Sequence, residues 1–190
     1  MQKRILAILG SPHKEGRTGK MLNYAVQIAE KQGYVIDYIN LYDKEIAYCN
    51  GCRTCLKTQM CVRKDDVQEI AELLKICDMV ILAAPTYWAN MPAIVKNLFD
   101  RLSGASMMET KTFPKPRLAG KRYIFLTACN TPMPFARLCG QLPGIIRAVR
   151  EYFKTSGIRC IGTVVCANTG ARKKVAEDKF KKIDKILEKI

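Results

Sequence analysis

The chain has 190 residues, 48% of them hydrophobic and 26% charged, a balance typical of one globular domain with its own core. Its uninterrupted apolar runs are far too short to span a bilayer, so we expect no membrane association. The net charge is +15, from 32 Lys and Arg against 17 Asp and Glu. Such an excess suits an anionic ligand, an acidic partner protein or nucleic acid.

Apolar, β-rich runs alternate with helical patterns, without repeats or linkers. The predicted strands cover 4–10, 34–41, 79–85, 121–128 and 158–167. The predicted helices cover 18–33, 65–77, 92–104, 142–157 and 171–190. This order predicts an α/β fold with a parallel sheet covered by helices on both faces. Ligands of such sheets bind at the carboxyl ends of the strands, so the loops at that edge contain the candidate sites.

The cysteine content indicates a reducing compartment. The chain holds nine cysteines, and its start, MQKRILAILGSP, lacks the longer apolar region and cleavage site of a secretory signal. A disulfide framework is therefore not expected. We predict a cytoplasmic protein whose thiols are reduced or bound to a ligand.

The basic C-terminal segment is predicted to be an amphipathic helix with a solvated lysine face. Its apolar residues recur at helical spacing: they are Val175, Phe180, Ile183, Leu187 and Ile190. The chain has no dense basic patch interleaved with aromatic residues and no nucleic-acid-binding motif, so we expect no nucleic-acid partner.

The loop after the first predicted strand reads GSPHKEGRTGK and leads into a helix. A helix start presents backbone N–H groups and the positive end of its dipole, which together favour an anion. Ser11 and Thr18 add hydroxyl donors, and Arg17 can pair with a phosphate. The loop matches neither the P-loop, because Lys14 stands where glycine is needed, nor the dinucleotide fingerprint, because Pro12 replaces its second glycine.

The loop after the third predicted strand reads APTYWANMP and contains Trp88, the only tryptophan. Adjacent aromatic residues with a hydroxyl and an amide at this edge of the sheet suit a flat heteroaromatic ring. The alternative is a surface turn whose aromatic side chains are simply packed underneath it.

The segment 48–64 contains four cysteines spaced C-x2-C-x2-C-x5-C: Cys49, Cys52, Cys55 and Cys61. Four thiolates in one loop can hold zinc or a [4Fe–4S] cluster. Structural zinc sites usually take two separated C-x2-C pairs, whereas three cysteines in one C-x2-C-x2-C run are typical of ferredoxin clusters. Free or redox-active thiols remain a third alternative.

Two motifs together resemble the flavodoxin-like superfamily of NADPH-dependent FMN reductases: GSPHKEGRTGKM and, further along, PTYWANMPAIVKNLFDR. The second motif is the more specific, and the resemblance extends over the whole chain through the order of its strands and helices. It implies a flavodoxin-like three-layer sandwich with strand order 2-1-3-4-5, forming one FMN-binding domain over 1–190. His13 stands where arginine is usual in the family, and Arg17 where asparagine is usual.

The resemblance also implies where FMN lies. Its phosphate would occupy the first loop and its isoalloxazine ring the loop after the third strand, bordered by TACNTPMP after the fourth. The cofactor-binding residues implied in this way are Ser11, His13, Arg17, Thr18, Gly19, Pro85, Thr86, Tyr87, Trp88, Asn90, Ala128 and Asn130.

Within this superfamily, the four-cysteine loop resembles the signature of the iron–sulfur flavoproteins. It implies that Cys49, Cys52, Cys55 and Cys61 ligate one [4Fe–4S] cluster and that electrons pass between the cluster and FMN. It also implies a homodimer or homotetramer. The basic surface suits an acidic electron donor such as a ferredoxin, and NAD(P)H is the other donor that we expect. The alternative is a cluster-free NAD(P)H-dependent FMN or quinone reductase.

Overall fold

The computed structural model describes residues 2–171 and 174–190. Its main sheet has five parallel strands in the order β2-β1-β3-β6-β7. These strands are β1 (Arg4–Leu9), β2 (Val35–Asn40), β3 (Met79–Pro85), β6 (Arg122–Ala128) and β7 (Arg159–Cys166). The predicted α/β fold and the order 2-1-3-4-5 are thereby confirmed. Two further strands, β4 (Met107–Met108) and β5 (Lys115–Pro116), form a small antiparallel pair that the sequence analysis did not predict.

Five longer helices connect the strands or end the chain. They are α1 (Arg17–Lys31), α3 (Val67–Ile76), α4 (Ala93–Arg101), α7 (Gln141–Ser156) and α8 (Glu177–Leu187). Three short helices, α2 (Thr54–Thr58), α5 (Ser103–Ser106) and α6 (Phe135–Leu138), lie in the connections, and a 3₁₀ turn covers Leu41–Asp43. The last helix begins later than predicted, and Arg172 and Lys173 of the predicted segment lie outside the described residues.

The helices cover both faces of the sheet and create two apolar cores, because alternate residues of each strand point to opposite faces. Leu6 and Ile8 of β1 lie in one core, and Ile5 and Leu9 lie in the other. The first core is closed by α3, α4 and α7, chiefly through Ile70, Leu74, Val95, Leu98, Ile145 and Val149. The second is closed by α1 and α8, chiefly through Leu22, Ala25, Ile183 and Leu187.

Helix ends follow the local sequence. The Asp65 carboxylate accepts the backbone N–H of Val67 at 3.1 Å and so caps the start of α3. Gly33, with φ of +86°, follows α1, and Gly157, with φ of +82°, follows α7, positions where a left-handed backbone favours glycine. Among the described residues, no helix is long and apolar enough to cross a membrane.

Candidate functional site

A cavity of about 310 Å³ opens at the carboxyl edge of the sheet. It lies where the loops after β1, β3 and β6 meet, with one further contribution from the segment after β7. The strand order reverses between β1 and β3, so the cavity stands at the position where open α/β sheets bind their ligands. Its volume is within the usual range for a small-molecule site.

The loop after β1 forms one wall of this cavity and can bind an anion there. The first turn of α1 has no side-chain cap and no acidic residue, so its N–H groups can serve an anion. The helix start lies very close to its own loop, because a Cβ on Gly19 would lie 1.8 Å from the carbonyl oxygen of Lys14. The Arg17 guanidinium lines the cavity and donates to the carbonyl oxygen of Thr169 at 2.9 Å.

The loop after β3 forms a tight turn beside the same cavity. Tyr87 and Asn90 exchange two backbone hydrogen bonds of 2.9 Å, and Trp88 and Ala89 between them both have positive φ, at +51° and +60°. This is the backbone of a two-residue hairpin turn. Tyr87 lines the cavity, whereas the side chain of Trp88, at the tip, is fully exposed.

The structure brings most of the predicted cofactor residues together around this cavity. Those that line it are Ser11, His13, Arg17, Thr18, Pro85, Thr86, Tyr87, Ala128 and Asn130. The other three do not line it. Gly19 packs behind the loop, Trp88 points outward, and the Asn90 side chain accepts the backbone N–H of Met91 at 2.8 Å.

The sequence analysis missed three lining residues: Gly16, Cys129 and Thr169. Gly16 and Cys129 lie within the quoted loops GSPHKEGRTGK and TACNTPMP, but they were not chosen as site residues because neither offers a strong polar or aromatic contact. Thr169 lies in the segment after the last strand, where no motif marked a site. Its hydrogen bond to Arg17 spans 152 positions of the chain, a contact that only the folded structure reveals.

The four-cysteine loop lies between the 3₁₀ turn and α3 and contains α2. Cys49 and Cys52 are exposed, Cys55 and Cys61 are partly buried, and none of the four is in a disulfide. The backbone turns sharply at Gly51, Arg53 and Gln59, all of which have positive φ. Within residues 2–171 and 174–190, no three Cys, His, Asp or Glu side chains form a group arranged to hold a metal ion.

Two residues of α4 tie this loop to the fold. The Asn97 amide accepts the backbone N–H of Cys49 at 3.2 Å and donates to the carbonyl oxygens of Ile46 and Ala47. The Arg101 side chain is fully buried, and its Nε donates to the Cys61 sulfur at 3.1 Å. Both residues stand one turn apart in KNLFDR, so this stretch anchors the cysteine loop.

Arg101 also forms a bidentate ion pair with Asp65 at the start of α3. The guanidinium nitrogens lie 2.6 and 2.9 Å from the two carboxylate oxygens. Burial by itself raises the pKa of Asp65, but Arg101 and the backbone N–H groups of Val67 and Ala47 outweigh it, and the pKa is lowered overall. The pair therefore locks the end of the cysteine loop to α3 and α4.

Burial and nearby groups shift the pKa of Cys55 and of Cys52 in opposite directions. Burial is the main cause that raises the pKa of Cys55, and the nearby thiols of Cys61, Cys49 and Cys52 raise it further. The backbone N–H of Thr54 is the main cause that lowers the pKa of Cys52. The Cys49 sulfur also accepts the Gly51 N–H at 3.4 Å, and the Cys61 sulfur accepts a hydrogen bond from Arg101.

Asn97 and Arg101 were not singled out as site residues from the sequence. The signal was available, because Asn97 and Arg101 stand one helical turn apart and share the side of α4 that carries the buried Leu98. An amide and a guanidinium on the buried face of a helix need polar partners, and here the cysteine loop and Asp65 supply them.

A parallel α/β sheet in this strand order, with helices on both faces and a cavity at its switch point, is a flavodoxin-like fold. The model of the NADPH-dependent FMN reductase family matches residues 3–146 of the chain. The chain belongs to this family.

Two curated relatives and one solved structure extend the comparison. An iron–sulfur flavoprotein of Archaeoglobus fulgidus is 40% identical over 99 residues, covering 52% of this chain and 45% of the relative. One of Methanosarcina thermophila is 38% identical over 98 residues, covering 52% and 51%. The chain thus spans about half the length of the curated relatives it matches.

The solved structure is an FMN-dependent NADH-azoreductase from Bacillus anthracis in complex with FMN. It superposes with a TM-score of 0.80 at 16% identity and covers 99% of both chains. At this identity the likeness shows a common fold.

Proposed function

We propose that the protein is an FMN-dependent oxidoreductase that binds FMN in the 310 Å³ cavity. The observation that supports it most is that two segments line the same cavity. One is the start of α1, whose N–H groups can bind an anion, and the other is the turn that contains Tyr87. The family match supports the same cofactor. When bound, FMN supplies one- and two-electron redox chemistry that amino-acid side chains cannot perform.

The residues around the cavity have separate tasks in this proposal. Ser11, Thr18 and the first N–H groups of α1 hold the phosphate, and Arg17 contributes a positive charge. Tyr87 packs beside the flat ring, and Pro85 and Ala128 close the apolar wall at the strand ends. The protein's part is thus to bind and orient the flavin, so we assign no catalytic acid, base or nucleophile.

We further propose that Cys49, Cys52, Cys55 and Cys61 hold a [4Fe–4S] cluster, which makes the protein an iron–sulfur flavoprotein. The cysteine spacing, the names of the two curated relatives and the N–H donors to two of the sulfurs support this. Because the described side chains do not converge on one point, binding requires the loop thiols to rotate inward. Cys49 and Cys52 are exposed and have room to do so.

The second candidate is a cluster-free NAD(P)H-dependent FMN or quinone reductase, favoured by the absence of a convergent thiol group among the described residues. The visible spectrum of the purified protein separates the two. A flavin spectrum alone supports the reductase, and a flavin spectrum on a broad brown shoulder supports the iron–sulfur flavoprotein.

We also propose that the protein acts as a homodimer or homotetramer and takes electrons from a ferredoxin or NAD(P)H. Exposed apolar side chains in the loops that border the cavity, Trp88 after β3 and Met133 after β6, support contact with a second copy. The net charge of +15 supports an acidic donor.

Changing Arg17 and Thr18 together to alanine is expected to weaken FMN binding at least about hundredfold, since two phosphate hydrogen bonds to charged groups are worth roughly 1.5–3 kcal/mol each. Titration of apoprotein with FMN, followed by flavin fluorescence, measures the affinity. Lys20→Ala, an exposed cation of the same helix, is the control and should bind as the wild type does. Full flavin occupancy in the double variant would place the phosphate elsewhere.

Adding FMN to apoprotein is expected to quench the emission of Trp88, because the turn that bears it borders the proposed ring site. Trp88 is the only tryptophan, so the signal has one source. Trp88→Phe gives the background. Emission that stays constant while FMN binds would separate this turn from the flavin ring.

A further inference from the structure

A second cavity, of about 520 Å³, lies over β7, which is the last strand of the sheet on that side. We call it the edge groove. Its floor is apolar and is formed by Leu142 and Ile146 of α7 and by Val165 and Ala167 at the end of β7. None of the predicted cofactor residues lines it.

The rims of the edge groove are basic. Arg137 of α6 and Arg150 of α7 stand on one side, and Lys179 and Lys182 of α8 stand on the other. Among the residues that the structure describes, no aspartate or glutamate lines the groove. Within the described part of the chain only Lys179 of these four is within ion-pair distance of a carboxylate, that of the adjacent Asp178.

The two rims lie on opposite faces of the sheet, since α7 covers one core and α8 the other. A chain segment that pairs with the outer edge of β7 would place alternate side chains on these two faces. Its acidic side chains would then reach Arg150 on one face and Lys182 on the other. The main chain of β7 would receive the hydrogen bonds that an edge strand leaves unmade.

We propose that the edge groove binds an extended acidic peptide segment of a partner protein, which adds to the sheet as a strand beside β7. A second copy of this chain is disfavoured, because it would bring the same cations face to face. A small anion is disfavoured because Arg137, Arg150 and Lys182 are exposed and, in the part of the chain that the structure describes, no buried cation lines the groove. Nucleic acid is disfavoured because none of the described lining residues is aromatic, so the groove offers no side chain on which a base could stack.

The groove adjoins the proposed flavin cavity through two shared segments. The loop after β6 contributes Cys129 and Asn130 to the flavin cavity and Pro132 to the groove. After β7, Thr169 lines the flavin cavity and its neighbour Asn168 lines the groove. A partner held in the groove would therefore stand next to the flavin cavity, although peptide binding itself does not depend on the proposed function.

The test uses a fluorescein-labelled ten-residue peptide in which pairs of glutamates alternate with single valines. Fluorescence anisotropy measures its binding to the full chain near physiological salt concentration. The groove variant is R150E/K182E. The control variant is K154E/K185E, which makes the same charge change on exposed positions of the same two helices, outside the groove lining. Circular dichroism checks that each variant is folded.

We expect the groove variant to bind the peptide at least tenfold more weakly than the wild type and the control to remain within about threefold, because salt weakens the unspecific attraction of distant charges. Methylating alternate backbone nitrogens of the peptide should also weaken binding at least tenfold, since it removes strand hydrogen bonds and keeps the charge. Three results would overturn the proposal: no binding by the wild type, equal losses in both variants, or no effect of methylation. A competition experiment could also overturn it. The proposal fails if pyrophosphate, or single-stranded DNA of equal charge, displaces the labelled peptide at a lower concentration than the unlabelled peptide does.

Discussion

Replacing Arg101 by methionine is expected to lower the free energy of unfolding by about 3–5 kcal/mol, the usual cost of removing one partner from a buried ion pair. The Arg101 side chain has no exposed surface and that of Asp65 is 11% exposed, so water cannot replace the guanidinium. The substitution also removes the hydrogen bonds that Arg101 donates to the Cys61 sulfur and to the carbonyl oxygens of Ala47 and Arg63. Urea unfolding followed by circular dichroism measures the change.

Lys96→Met is the matched control. Lys96 lies in the same helix and pairs with Asp100 four residues later, but both side chains are largely exposed, at 58% and 44%. Such helical surface pairs contribute about 0.3–0.5 kcal/mol. Equal, small losses in the two variants would show that the Arg101 pair does not hold the cysteine loop to the fold.

The same ion pair predicts a dependence of stability on acid. The pKa of Asp65 is lowered in the folded protein, so its contribution is fully present above the unfolded pKa of about 3.9 and is lost as the pH falls through the lower folded value. The wild type should therefore lose stability below about pH 4 more steeply than Asp65→Asn. Parallel stability curves for the two proteins below pH 4 would contradict this assignment.

The main sheet could be predicted from the sequence chiefly because its three central strands, β1, β3 and β6, are buried on both faces. Such strands read as continuous apolar runs, as in RILAIL and MVILAA, and the helices between them show a clear helical period. The small β4–β5 pair and the helices α2, α5 and α6 have two to five residues each, too few to show a period. They form where packing between longer elements allows them.

Contacts between distant parts of the chain could not be predicted in the same way. From the sequence, Gly104 is only the last residue of the predicted helix 92–104. In the structure, a Cβ there would lie 2.1 Å from the carbonyl oxygen of Cys55, so this glycine allows the cysteine loop to approach α5. Trp88 is an aromatic residue in a predicted ring site, but the positive φ at the tip of its turn directs its side chain into solvent. Each outcome depends on backbone geometry that no residue type specifies alone.

The iron–sulfur proposal has the largest consequence for function, and its expected effects are all-or-none. Changing any one of Cys49, Cys52, Cys55 or Cys61 to serine should abolish the cluster, because a cubane held by four cysteines needs every ligand. Flavin should remain, since none of these residues lines the flavin cavity. Cys160→Ser is the control, an exposed cysteine of β7 outside the loop.

Iron, acid-labile sulfide, zinc and FMN, measured together in anaerobically purified protein, test the central claim most directly. Anaerobic handling matters because exposed thiolates oxidise. We expect about four irons and four sulfides per chain in the wild type and in Cys160→Ser, with loss of both in each loop variant and FMN retained throughout. Stoichiometric zinc, or no metal in protein never exposed to air, would contradict the cluster and leave the cluster-free reductase as the function.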